Sequence, residues 1–192
     1  IWHLRFEVDS KLAERFFIKM EISPVDFLVC FILFSLALKI AYPLSGFFHE
    51  LGHACAALLL KKKAKVRVYL GRHGEQPFFA LGRLEIYAGL ASSFWGTCEV
   101  ESELNSFQTV IISAAGPLVS LLLAVLGFVV LFDSSAIWEL RALAGVFFYA
   151  NTKQFIVTVV PKELAHPHSP EENSISDGLK ILNALVVKQR KR

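Results

Sequence analysis

Residues Val25–Leu60 read VDFLVCFILFSLALKIAYPLSGFFHELGHACAALLL, and the reading of this stretch decides the fold. Apart from Asp26, Lys39 and the cluster His49-Glu50-Leu51-Gly52-His53, it is apolar throughout. At 1.5 Å per residue a single helix of that length would run to about 54 Å, against a hydrocarbon core of about 30 Å. It should therefore fold back or break. Pro43, with Ser45 and Gly46 close behind, is the expected breakpoint, because proline lacks the N–H that a helix interior uses. The expectation is one helix near 25–42 and a second, short for a crossing, near 45–60.

Composition points the same way. Of the 192 residues 54% are hydrophobic and 19% charged, against roughly 45–50% and about 25% in soluble domains. Phe is abundant, at 17 against one Met, which suits contact with lipid. The net charge of +3 is modest and its basic residues sit in short clusters beside apolar runs, which argues for membrane flanks and against a nucleic-acid partner. Cys30, Cys55 and Cys98 form no CxxC pair and are too scattered for a disulfide framework, so they read as small apolar residues. The apolar run from Val25 lies too far in for a cleaved signal peptide and is read as retained.

The fold class expected is an α-helical integral membrane protein: about four transmembrane helices, a small β insertion and a C-terminal amphipathic helix. Residues 1–24 mix charge and aromatics without a long apolar run, as in a segment lying at the interface, and 25–192 form the main domain. Within it, 61–106 hold the insertion, where Val66, Val68, Leu70, Leu84 and Ile86 alternate around glycines as in a small sheet or hairpin. A third helix is predicted from about Phe107 to Phe132 and a fourth from about Ala136 to Val160, joined by Asp133-Ser134-Ser135. A proline-bearing loop from Lys162 to Ser176 precedes an amphipathic helix over Asp177–Lys188. With four crossings the basic segments Lys11–Lys19, Lys61–Lys63 and Lys188–Arg192 fall on one side, which the positive-inside rule makes cytoplasmic, both termini included. A multi-pass protein of the cell membrane is the localisation this implies.

His49-Glu50-Leu51-Gly52-His53 fits HExxH. Two His at i and i+4 of a helix project from one face and can share one Zn²⁺. Glu50 lies off that line, where it can take a proton from a water beside the metal and return it to a leaving amine. Ionisable groups inside an apolar helix are expensive enough to mark a site. Asn151, Thr152, Lys153 and Gln154 interrupt the fourth apolar segment and should face the bundle interior, either at the site or in hydrogen bonds between helices. Glu163, His166 and His168 are metal-capable but lie in a loop where nothing holds them on one face. His3 and His73 lack partners and read as surface histidines.

Three separated segments carry a family resemblance: Phe47-Phe48-His49-Glu50-Leu51-Gly52-His53-Ala54; Ala114-Ala115-Gly116-Pro117-Leu118 with the run Val119–Ala124; and Ser176-Asp177-Gly178-Leu179-Lys180-Ile181-Leu182. Together they resemble the site-2 protease family of intramembrane zinc metalloproteases. The resemblance implies one zinc per chain, held by His49, His53 and Asp177, with Glu50 as catalytic base. It also implies a supporting or substrate-binding part for Asn151, Gly116 and Pro117. The substrate it implies is a membrane-spanning or membrane-anchored protein cut within or beside the bilayer. This sequence departs from the family in having Thr158-Val159-Val160-Pro161 where an Asn-x-x-Pro run is usual, and one Gly after the Asp. Two other readings stand beside it: a catalytically silent membrane scaffold of the same fold, and a zincin-like metalloprotease outside the membrane.

Overall fold

The computed structural model describes residues 24–71, 76–89, 96–164 and 174–190. The interfacial segment expected over 1–24, and His3, His73, His166 and His168, lie outside those residues, except for Pro24 at the start of the first helix. Contacts divide the chain into two compact units, Ile1–Leu36 and Ala37–Arg192. In the first, residues 25–36 are helical and almost wholly exposed, with the Ser35 hydroxyl turned back to the Phe31 carbonyl at 2.7 Å.

Helix α1 spans Pro24–Leu60 and contains Pro43 in its interior. The expected break is not formed. A proline removes a single N–H from the ladder, and in an apolar stretch the flanking turns keep their bonds because every freed backbone group would be costly there. The remaining elements are β1 (Val66–Leu70), β2 (Phe79–Leu81), β3 (Leu84–Ala88), β4 (Gly96–Val100), α2 (Ser106–Phe132), α3 (Trp138–Val159), β5 (Glu163–Leu164), β6 (Ser174–Ile175) and α4 (Asp177–Arg190). The protein is thus mostly helical with a small sheet, as expected. Two of its described helices, α1 and α2, are long and apolar enough to cross a membrane, rather than four. Two facts lower the count. Residues 25–60 form one helix instead of two, and α3 carries Asn151, Lys153 and Gln154 in its middle, which lower its hydropathy.

Strands β1–β4 form a sheet in the order β2-β3-β1-β4, with β1 and β3 parallel and the other pairs antiparallel. Gly82, at φ +59, supplies the left-handed residue of the tight turn between β2 and β3. Alternation sorts the faces. Val66, Val68 and Ile86 point inward and pack with Ala54, Ala57 and Ile112 into one core, while Arg67, Glu85 and Glu101 form ion pairs outward beside the stacked rings of Tyr69 and Tyr87. Arg83 pins this sheet to the end of α1, donating to the carbonyls of Leu58 at 3.1 Å, Lys61 at 2.6 Å and Ala64 at 3.2 Å. A guanidinium there satisfies carbonyls the helix end leaves unpaired and meets the negative end of its dipole.

Helix α2 begins with a capping box: the Gln108 N–H donates to the Asn105 side chain at 2.9 Å and the Asn105 N–H to the Gln108 side chain at 3.2 Å. It packs along α3 through Gly127, where a Cβ would stand 3.0 Å from the Ala144 carbonyl oxygen. Arg141 donates to the Leu131 carbonyl at 3.0 Å, closing the turn between the two helices.

Candidate metal centre

The site forms where α1, α2 and the start of α4 meet. His49 and His53, one turn apart on α1, face Ser120 and Gly116, one turn apart on α2, so the two helices meet along matched i, i+4 pairs. Small residues make this approach possible. A Cβ on Gly116 would overlap the His53 ring, and one on Gly52 would lie 2.9 Å from the Ala115 carbonyl oxygen.

Each imidazole is held by its rear nitrogen. His53 Nδ1 donates to the Ile112 carbonyl at 2.6 Å, and His49 Nδ1 meets the Ser120 hydroxyl at 2.9 Å. A carbonyl only accepts, so the proton of a neutral His53 sits on Nδ1 and its Nε2 presents a lone pair. Pro117 is buried in the next turn of α2 and, lacking an N–H, leaves the Ser113 carbonyl without its helical donor.

Asp177 comes to the same point from 128 residues along the chain. Its placement rests on Ser176, whose hydroxyl donates to the Val160 carbonyl at 2.8 Å and accepts from the N–H groups of Lys162 at 2.9 Å and Leu179 at 3.3 Å. That oxygen caps α4 and ties it to the end of α3. Gly178 completes the junction, since a Cβ there would run into the Val159 carbonyl. The glycine serves close approach rather than a turn, for its φ is not positive.

The result is a triangle of donors. His49 Nε2 lies 3.1 Å from Asp177 Oδ2 and 3.2 Å from His53 Nε2, and His53 Nε2 lies 3.3 Å from the same carboxylate oxygen. All three residues are buried. Lone pairs converging at this distance are relieved by a proton on His49 Nε2 or by a bound cation, and with one ligand atom from each residue His49, His53 and Asp177 form a group that can hold a metal ion. The other carboxylate oxygen of Asp177 accepts from Lys180 Nζ at 3.3 Å.

Glu50 is buried beside this set and lines a cavity of about 630 Å³ together with the three donors. Strand β4 passes over it. A Cβ at Gly96 would stand 2.5 Å from Glu50 Cγ and 3.1 Å from Oε1, so glycine alone admits the carboxylate here. Cys98, two residues on, also lines the cavity, and burial pushes its thiol up to about 12, but its sulfur is not among the ligand atoms that converge with the two imidazoles. Comparison of the chain with protein-family models, with curated proteins and with solved structures finds no match.

Of the residues singled out in the sequence, the structure brings together His49, Glu50, His53 and Asp177, and places Gly116 against the His53 ring. Asn151 is fully buried but turned elsewhere. It accepts from the Ser45 hydroxyl at 2.9 Å and donates to the Phe147 carbonyl at 2.9 Å, the helix-to-helix alternative. Glu163 is exposed in β5 and does not line the cavity. Sequence reasoning missed Ser120, Ser176 and Gly96. Ser120 had one usable signal: it follows Gly116 by one helical turn, as His53 follows His49.

Proposed function

We propose that this chain is a zinc-dependent endopeptidase of the site-2 protease kind, working within a membrane on membrane-spanning or membrane-anchored protein substrates. The donor triangle carries the reading. Four ligands arranged tetrahedrally at zinc's usual bond lengths of about 2.0–2.2 Å stand ~3.3–3.6 Å apart, and the three observed separations, 3.1, 3.2 and 3.3 Å, lie at or a little under the short end of that range. Two imidazoles and one carboxylate are a catalytic zinc set, with a fourth position left for water. Zinc held there supplies Lewis acidity toward that water and toward a peptide carbonyl.

The chain's own residues do the rest. Glu50 is placed to take a proton at its carboxylate from the attacking water and deliver it to the leaving nitrogen. Ser120 and the Ile112 carbonyl fix the imidazole rings, and Lys180 holds Oδ1 of Asp177 while Oδ2 stays toward the imidazoles. β4 and α3 contribute walls of the cavity beside Glu50 and the donor set.

A membrane setting is supported by exposed apolar surface. In the most apolar windows of α1 and α2 only 6% and 28% of residues are buried, so neither is the covered core helix of a soluble domain. His53 lies eight residues before Lys61, about 12 Å of helix, which brings the metal within reach of water at the basic end of α1, Lys61–Lys63. The shared side proposed for the two termini rested on a break at Pro43, and a continuous α1 removes that argument. What remains is that the β1–β4 sheet and α4 share one side, since both border the same cavity.

Glu50→Gln tests the reading. Zinc content by mass spectrometry should stay at one per chain, while cleavage of membrane peptides, compared between cells carrying the wild type and the variant, should stop. Cleavage near the wild-type rate in Glu50→Gln would remove the general-base assignment.

A further inference from the structure

The cavity that contains the metal donors extends along α1 to Tyr42 and across to Lys153 on α3. Tyr42 precedes His49 by two helical turns, so it lies on the same face of α1, about 10.5 Å away along the axis. Lys153 Nζ stands 4.7 Å from the centre of the Tyr42 ring and donates to its hydroxyl at 3.2 Å. Lys153 is exposed at the cavity's rim, and ring face and hydroxyl together hold its ammonium in place there. They leave two of its three N–H donors for another partner.

The charges around the cavity do not balance at this end. Two lysines line it, Lys153 and Lys180. Lys180 is matched by Asp177 at 3.3 Å. Among the described residues no carboxylate lies within ion-pair distance of Lys153. A held, unmatched cation in a chamber built to admit a peptide is a recognition element for an anion.

Resting on the proteolytic reading above, we propose that Lys153 and Tyr42 form a substrate subsite for a carboxylate side chain, Asp or Glu, of the peptide to be cut. Geometry sets its register. An extended peptide advances about 3.3 Å per residue, so a subsite ~10.5 Å from the ligands receives the side chain about three residues from the scissile bond. An acidic residue there would also favour a locally unwound stretch in an apolar segment, because its carboxylate is stabilised only when it reaches this ammonium.

The test uses zinc-loaded, full-length protein in nanodiscs of neutral phosphatidylcholine, with dye-labelled apolar peptides carrying one Asp, or one Asn, at successive positions. Binding and cleavage are both read. At one position, about three residues from the cut, Asp should be favoured over Asn by about tenfold, the scale of a charge-assisted hydrogen bond. That ratio should fall to about one in Lys153→Met, persist in Lys153→Arg, and reverse in Lys153→Glu when a Lys peptide replaces the Asp peptide. Equal binding of the Asp and Asn peptides by the wild type, or no binding of either, overturns the subsite. A Lys153-dependent Asp preference in binding, without cleavage of any peptide, keeps the subsite and overturns the proteolytic reading. A lipid phosphate offers the same charge. If the Lys153 effect appears only as retention of phosphatidylglycerol vesicles, the group reads headgroups and the peptide subsite is wrong.

Discussion

Ser120 does for His49 what the Ile112 carbonyl does for His53: each holds the rear nitrogen so that Nε2 aims at one point. Removing such a partner usually costs about ten- to a hundredfold in metal affinity. Ser120→Ala should therefore weaken zinc by that factor in a chelator competition while leaving the fold intact, and unchanged affinity would show that packing alone orients the ring. Asp177→Ala should lower metal occupancy and cleavage together, because it removes a donor 3.1 and 3.3 Å from the imidazoles. His166→Ala and His168→Ala should change neither. The reverse pattern would move the third ligand into the loop. At this scale the sequence was legible where chemistry repeats at helical spacing, as in HExxH, and illegible where one small polar residue acts through its position. A serine in an apolar helix looks the same whether it orients a histidine or only eases packing.

Among the elements, the junction of α3 with α4 offers the sharpest prediction. Gly178 is not a ligand, yet a methyl there meets the Val159 carbonyl, so α4 must retreat and carry Asp177 with it. Gly178→Ala should reduce zinc occupancy nearly as far as Asp177→Ala; full occupancy would mean the junction yields without moving the carboxylate. Arg83→Met tests the other end of α1. It strips three carbonyls of a charged donor and should cost about 2 kcal/mol, read as a lower thermal midpoint in detergent with zinc stoichiometry unchanged. Helices were the most legible elements, since α2, α3 and α4 start and stop within two residues of their expected bounds. Pro43 misled because proline's local cost was weighed without the cost of exposing backbone in an apolar setting. Of the sheet, β1 and β3 announced themselves by alternation, whereas β4, Gly-Thr-Cys-Glu-Val, presents only weak alternation and is recognised by its pairing with β1.

For the molecule as a whole, the membrane reading together with the cavity that β4 and α4 both line predicts the β1–β4 sheet and α4 on one side of the bilayer. In a background with Cys30, Cys55 and Cys98 replaced by Ser, Lys62→Cys and Asn183→Cys should both escape an impermeant thiol reagent in intact cells and both react once the membrane is opened. Labelling of one without the other would break the arrangement. The protein should also stay with the membrane through carbonate extraction. The wide separation of its donors has a further consequence, one of timing. Chains emerge from synthesis N-terminal end first, at about 5–20 residues per second, and the donor set joins position 49 to position 177. His49, Glu50 and His53 are thus present early but inert, and the centre closes only when the last described helix docks. On the proteolytic reading, a nascent or truncated chain lacking that helix would carry the HExxH signature without a complete donor set, and so without the means to cut its neighbours.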